Sequence, residues 1–283
     1  MEEKVIRAGE TGPTFRLVVG DALDLLDQPA LAGAVDLVVT SPPYNIGVNY
    51  GNYDDSAPRD EYLAWVDAWA ARLRRVLSDS ASFFLNVGAK PSDPWVPFEV
   101  AAVLRKHFTL QNVIHWIKSI VVEREDIGKG YGKARDFVAG HYKPVQSKRF
   151  LTDLHEYVFH WTKTGAVELE RLALGVPYKD KSNVSRWKAA RADLRCRGNV
   201  WFVPYETIRS RRDQRPHPST FPVKLARMCI RLAGRQNVGL VLDPFMGIGN
   251  AAVACVLEGR SFLGIDIDPA YVDEAARRVT EAL

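Results

Sequence analysis

The sequence predicts an α/β protein built on a Rossmann-like, doubly wound and mostly parallel sheet, and three observations carry that expectation. Short apolar, β-branched runs at residues 35–40, 82–87, 239–243 and 261–266 lack polar alternation, as strands covered on both faces do. Stretches of helical spacing separate them, clearest at 59–77, where Leu63, Val66, Trp69, Ala70, Leu73, Val76 and Leu77 fall on one face. Near the carboxyl end a strand runs straight into a glycine turn and a helix: Gly239-Leu-Val-Leu-Asp243 is followed by Pro244-Phe-Met-Gly247-Ile-Gly249-Asn250. In that arrangement backbone N–H groups and a helix start approach a polar ligand closely.

In chain order, a first strand is expected at 15–20, closing in Gly20-Asp21-Ala22, with a short helix around Leu23, Leu25 and Leu26. The strand at 35–40 ends in Ser41-Pro42-Pro43-Tyr44. Two prolines cannot continue a hydrogen-bonded ladder, so the chain must turn out of the sheet there. Open α/β sheets bind their ligands at that edge. Residues 50–58, rich in Asn, Gly, Asp and Tyr, read as a loop beside it. The 59–77 helix, a strand at 82–87, a helix at 98–107 and a strand at 112–117 follow.

Residues 118–150 then lose periodicity and read as a basic loop. Its Gly128, Gly130 and Gly132 do not form a P-loop, because the Gly-Lys-Ser/Thr ending is missing. A strand at 154–161 precedes a second irregular basic stretch, 165–200. The order closes with a helix at 223–232, the strand and turn already described, a helix at 251–257 and a strand at 261–266. Asp268 and Pro269 are placed to start a last helix at 271–283.

With 283 residues, 47% of them apolar and 25% charged, the chain reads as one globular domain spanning 1–283 with insertions. No apolar run approaches the ~20 residues of a membrane span, and the opening Met-Glu-Glu-Lys has no signal-like apolar core. Cys196, Cys229 and Cys255 are scattered without metal-ligand spacing, so a reducing, cytoplasmic setting with neither disulfides nor metal is expected. The net charge of +4 is unevenly spread: residues 118–217 hold 21 Lys and Arg against 12 Asp and Glu. That asymmetry points to a polyanionic partner facing the basic segments.

The stretch Thr40-Ser-Pro-Pro-Tyr-Asn45 resembles the catalytic motif of DNA methyltransferases that modify exocyclic amines: Asp, Asn or Ser, then Pro-Pro, then an aromatic. The turn from Asp243 to Asn250 resembles the same family's S-adenosylmethionine loop. His217-Pro-Ser-Thr-Phe-Pro222 and Gly20-Asp21-Ala22 match two further family motifs. The catalytic loop comes first and the cofactor loop last, which is the order of the family's β group, a circular rearrangement of the usual layout. The resemblance implies that Asp21, Ala22, His217, Ser219, Phe221, Asp243, Phe245, Gly247, Gly249, Asn250 and Asp266 surround S-adenosylmethionine. Phe245 would lie against its adenine. Asp266 ends a strand about 20 residues beyond the glycines, a position suited to ribose hydroxyls. Asn250 stands where relatives usually carry Ser or Thr and is expected to cap its helix.

By the same resemblance the catalytic group is Ser41, Pro42, Pro43 and Tyr44. The Ser41 hydroxyl and the Pro42 carbonyl would accept the N–H groups of a base amine, holding its nitrogen nearer to tetrahedral. Tyr44 would stack on the base once it is swung out of the duplex. None of the cysteines lies in a Pro-Cys motif, which excludes carbon-5 cytosine methylation and its thiolate nucleophile. Ser41 favours the N4 amine of cytosine, with the N6 amine of adenine as the alternative. A catalytically silent DNA-recognition protein is a weaker one, since Ser41, Tyr44, Asp243 and Asp266 are all present. DNA contacts are expected from Lys129 and Lys133 in 118–150, a DNA-facing loop. Within 165–200, read as the target-recognition segment, they are expected from Lys179, Lys181, Arg186, Lys188, Arg191 and Arg195. The implied partners are double-stranded DNA and a partner restriction endonuclease, with the chain acting as a monomer or homodimer.

Overall fold

The computed structural model describes residues 2–124, 136–140, 147–186, 193–204 and 220–283. Its strands are β1 (Glu2–Arg7), β2 (Thr14–Val19), β3 (Val35–Thr40), β4 (Leu77–Val87), β5 (Thr109–Ile117), β6 (Ile120–Val122), β7 (Phe137–Ala139), β8 (His155–Thr162), β9 (Val200–Phe202), β10 (Leu240–Asp243) and β11 (Ser261–Asp266). Its helices are α1 (Ala22–Leu26), α2 (Arg59–Val76), α3 (Val96–Leu104), α4 (Ser182–Arg186), α5 (Val223–Ala233), α6 (Asn250–Glu258) and α7 (Pro269–Ala282). Among the described residues nine strands form one sheet in the order β1-β2-β11-β10-β3-β4-β8-β5-β9.

The five strands from β2 to β4 in that order are mutually parallel. β8 runs antiparallel between β4 and β5, and β1 is antiparallel at the opposite edge. The chain leaves β3 toward β4 on one side, and leaves β10 toward β11 on the other. Between β3 and β10 the winding reverses, and a crevice opens there at the carboxyl ends.

Both faces of the sheet are covered, which is why its central strands read as unbroken apolar runs. Leu37, Phe84, Val241 and Phe262 face a core completed by α5, α6 and α7. Val38, Phe83, Leu85, Leu242 and Leu263 face the core under α1, α2 and α3. The expected strands and helices are all present, and the differences have local causes.

β1 was not anticipated because Val5 and Ile6 are the only apolar residues in Glu2–Arg7; its exposed charges suit a sheet edge. β4 begins at Leu77, directly after α2, with a register shift between its pairings to Val35 and Leu37. α3 starts two residues earlier than spacing suggested, with Pro97 in its first turn. The expectation that 118–150 is loop throughout is corrected by the antiparallel β6–β7 ribbon, which pairs Ile120 with Ala139. Likewise 165–200 contains the short helix α4 and the first residue of β9, which joins the sheet beside β5. Elements of three to five residues are too short for periodicity to register.

Candidate active site

Thr40 and Asp243 end the two strands that flank the crevice, and the Thr40 Oγ1 donates to Asp243 Oδ1 over 2.6 Å. From Thr40 the chain enters the Ser-Pro-Pro-Tyr turn. Pro42 is buried, and the Pro43 carbonyl accepts from the Tyr62 hydroxyl of α2 at 2.9 Å, so the turn is pinned from below. Asn45 follows in the left-handed region, φ 57°, which Asn tolerates better than most residues. The buried Asp55 carboxylate then accepts from the backbone N–H groups of Asn45, Ile46 and Val48 at 2.7, 3.1 and 3.0 Å. Arg59 donates to the Asn45 side chain at 2.8 Å while paired with Asp93 and Glu99. One carboxylate thus folds the loop after the prolines onto the edge of the sheet.

On the other side of the crevice, Asp243 is buried and accepts from Thr40 and from the Phe245 N–H at 3.1 Å. Burial outweighs these donors and pushes its carboxyl up to about 7. Gly247 and Gly249 take φ 52° and 75°. At Gly249 a Cβ would stand 2.8 Å from that of Ala275, so this turn needs glycine both for its conformation and for its packing on α7. Asp266 accepts from the Gly247 and Asp268 N–H groups at 2.8 and 3.0 Å, and burial raises its carboxyl to about 6. Asp268 caps α7 through the Ala270 N–H, as expected, and Asp21 caps α1 through the Leu23 N–H at 2.7 Å.

The expectation that Asn250 caps its helix is corrected. Gly249 occupies the cap position, and Asn250, the first helical residue, donates instead to the Phe221 carbonyl at 2.5 Å. Phe221 itself lies in the core with Leu225 and Ala226. His217 and Ser219 lie outside the described residues.

Between the two halves is a solvent-open cleft. Ser41 and Pro43 bound it on one side, and Asp21, Ala22, Phe245 and Asp266 on the other. Members of both expected groups therefore meet in one cleft although about 200 residues separate them, whereas Pro42, Tyr44, Asp243, Gly247, Gly249 and Asn250 lie behind its lining. Gly20 and Pro244 of the two expected turns also line it, and the 50–58 loop, expected beside the site, contributes Tyr50, Asn52 and Tyr53; sequence reasoning missed Trp65 from α2 and Ile267, Asp268 and Tyr271. The Trp65 ring packs on Phe245 at 5.2 Å and on Tyr53 at 5.9 Å. Burial raises the Tyr53 hydroxyl to about 12, so it remains a protonated donor at neutral pH. The signal for Tyr50 and Tyr53 was the aromatic content of a loop adjoining a Pro-Pro turn.

Tyr44 is turned inward and only 7% exposed. Its hydroxyl stands 2.6 Å from Ser41 Oγ, accepts from Asn86 Nδ2 at 2.6 Å and donates to Glu156 Oε2 at 3.3 Å. Stacking on a base calls for more of the ring face than this position presents. Asn86 and Glu156 were also missed; a polar residue inside an apolar strand run is the signal that marks them.

Of the basic residues singled out, Lys129, Lys133, Lys188 and Arg191 lie outside the described residues. Lys179 and Arg186 are exposed. Lys181 is ion-paired with Asp193, and Arg195 sits on an isolated bridge to Val176, its guanidinium near the Cys196 carbonyl at 3.4 Å. Among the described residues no group of His, Cys, Asp and Glu is arranged to hold a metal ion, and no helix is long and apolar enough to cross a membrane.

A family model described as DNA methylase matches residues 35–277. The type II methyltransferase M.ScaI of Streptomyces caespitosus is 28% identical over 265 residues, covering 92% of this chain and 79% of its own length. The DNA adenine methyltransferase YhdJ of Escherichia coli (strain K12) is 27% identical over 267 residues, covering 94% and 83%. Among solved structures, the PvuII DNA methyltransferase, named cytosine-N4-specific, superposes with a TM-score of 0.63 at 18% identity, covering 95% of this chain and 90% of that one.

Proposed function

The chain belongs to the DNA methylases of the N6/N4 amino-methyltransferase family, and we propose that it methylates the exocyclic N4 amine of a cytosine swung out of duplex DNA. The methyl donor is S-adenosylmethionine, whose sulfonium supplies an activated methyl group when bound. The observation that carries the reading is that Ser41 and Asp266 face one cleft at the point where the sheet's winding reverses.

The cleft walls fit such a cofactor in their chemistry. Phe245 and Ile267 offer apolar surface to a purine, and Asp266 offers carboxylate lone pairs to ribose hydroxyls. Asp21 offers a carboxylate to the polar groups of an amino acid moiety, and the glycine turn at 247–249 behind the wall holds Asp266 through the Gly247 N–H. On the opposite wall the Ser41 hydroxyl accepts an amine N–H and keeps the nitrogen lone pair out of conjugation with the base ring. This is catalysis by positioning and electrostatics, with no covalent intermediate on the protein.

Serine before the two prolines supports cytosine N4, the pattern that the family resemblance attaches to that base. A second reading, adenine N6, is favoured by the likeness to YhdJ. Segments 118–150 and 165–200 supply the basic surface for DNA, and binding that weakens steeply with added salt is expected of them. Pairing with a restriction endonuclease of the same recognition sequence belongs to the same reading, as does action as a monomer or homodimer.

The test is incubation with radiolabelled S-adenosylmethionine and unmethylated genomic DNA, digestion to nucleosides, and identification of the labelled one by chromatography and mass. Label in N4-methylcytosine supports the proposal, and label in N6-methyladenine replaces the base assignment. Absence of label in DNA, with the cofactor bound, overturns the reading.

A further inference from the structure

The hydrogen bonds around Tyr44 have a direction. A phenol has one proton to donate and accepts at two positions. Asn86 Nδ2, 2.6 Å away, only donates, and its second bond, to Glu156 Oε2 at 2.7 Å, keeps the amide in this orientation. The Glu156 carboxylate only accepts, and lies 3.3 Å from the Tyr44 hydroxyl. The Tyr44 proton therefore points to Glu156, Asn86 fills one acceptor position, and Ser41, 2.6 Å away, fills the other with its own proton. Both lone pairs of the Ser41 oxygen are then left for the cleft. The arrangement ends on a charged group, since Lys118 Nζ is 3.1 Å from Glu156 Oε1, with side chains only 16% and 11% exposed.

We propose that Glu156, acting through the Tyr44 hydroxyl, is the positioning residue that makes Ser41 a hydrogen-bond acceptor for the target amine and then receives the proton that methyl transfer releases. The inference rests on the methyl-transfer reading above and assigns a role to the hydroxyl of Tyr44, which an aromatic ring that only stacked would not need. In the step, the lone pair of the amine nitrogen forms the N–C bond, and the C–S bond breaks with its electron pair retained by sulfur. The nitrogen then carries one surplus proton. That proton passes to the Ser41 oxygen as the Ser41 proton moves to Tyr44 and the Tyr44 proton moves to Glu156 Oε2. The carboxylate ends as a neutral acid and returns the proton to solvent after the product leaves.

Tyr44→Phe keeps the ring and deletes the relay. Single-turnover transfer from labelled S-adenosylmethionine to DNA is expected to slow by about 100-fold, with cofactor and DNA dissociation constants within about twofold of the parent's and a single cooperative melting transition as the check on folding. In Glu156→Gln the amide can donate to Tyr44 and reverse the chain. Transfer slows comparably, and the Tyr44→Phe, Glu156→Gln double variant is no slower than either single one. Two separate structural losses would multiply instead.

An unchanged rate in Tyr44→Phe overturns the inference, and so does a double variant in which the two losses multiply. Should Tyr44→Phe fail to fold, Glu156→Gln decides alone: an unchanged transfer rate, or a loss that appears only in the dissociation constants, overturns the inference. Wild-type protein that binds cofactor and DNA but transfers no methyl group removes the underlying reading as well, so the wild-type reaction separates the two failures.

Discussion

The Thr40 hydroxyl donates to the Asp243 carboxylate over 2.6 Å although they are 203 positions apart in the chain. It ties the strand that delivers Ser41 to the strand that delivers Phe245. The bond also supplies a donor to a carboxylate that is otherwise buried at the floor of the crevice, so its loss touches both stability and the cofactor wall.

Thr40→Val keeps the shape of the side chain and removes the donor. Leaving a buried acceptor one partner short costs about 1–3 kcal/mol, read as a lower midpoint in urea unfolding with the slope unchanged. Cofactor affinity is expected to fall in the same variant, because the Asp243–Phe245 turn loses its anchor. A variant as stable as the parent would show that the Phe245 N–H alone satisfies the carboxylate.

Asp266 predicts how cofactor binding depends on pH. Its carboxyl titrates near 6 in the free protein because burial disfavours the charge. Hydrogen bonds from ribose hydroxyls stabilise the ionised form, so binding lowers this pKa and releases a proton. Affinity for S-adenosylmethionine should therefore rise as pH climbs through about 6 and level off above about 7. Asp266→Asn removes that dependence and weakens binding about 10- to 100-fold. Calorimetry near pH 6 in buffers of different ionisation enthalpy counts the protons directly, and equal proton release in parent and variant would refute the assignment.

His160 predicts a pH dependence of stability with a worked sign. It is fully buried, stacks on Phe84 at 4.5 Å, takes a hydrogen bond from Asn112 at 3.0 Å and reaches Ser82 at 3.0 Å. Burial pushes its pKa down to about 4 from 6.5. Between those values the unfolded chain binds a proton that the native chain does not. Stability from this group is therefore complete above pH 6.5 and lost as pH falls toward 4, by about 3 kcal/mol. Asp243 and Asp266, whose pKa values are raised, act in the opposite sense, so the comparison to make is wild type against His160→Gln. Their stability difference should change between pH 4 and 6.5 and stay flat above.

The sites that were legible in the sequence share a cause. Ser41, Phe245 and Asp266 sit where strands stop, and a stop needs proline, glycine or a capping carboxylate, all of which stand out against apolar runs. Trp65 escaped because it flanks the buried face of α2, so a periodicity built on Val66 and Trp69 passes over it. Glu156 and Asn86 escaped because β8 and β4 look like ordinary strands and only pairing across the sheet brings them beneath Tyr44. Buried Glu258 was equally silent: it meets Arg227 and Arg231 at 2.9 and 2.8 Å, a contact that depends on how α5 and α6 pack. The direction in which a strand leaves the sheet can be read locally, whereas partners across the sheet require the topology.

Gly249 and Gly259 bracket α6 and separate the two demands made on a glycine turn. Both have positive φ, 75° and 65°, and an L-residue there costs about 1–2 kcal/mol. Around Gly259 a Cβ meets nothing within 4 Å, whereas at Gly249 it would stand 2.8 Å from the Ala275 Cβ. Gly249→Ala must therefore push α7 away from the turn, which adds about 1–3 kcal/mol of overpacking. The same displacement moves the Gly247 N–H that holds Asp266. Thermal unfolding should accordingly show a drop for Gly249→Ala about twice that for Gly259→Ala, and only the former should weaken cofactor binding. Equal losses in the two variants would mean that backbone strain alone accounts for the glycine, with no role for the contact to α7.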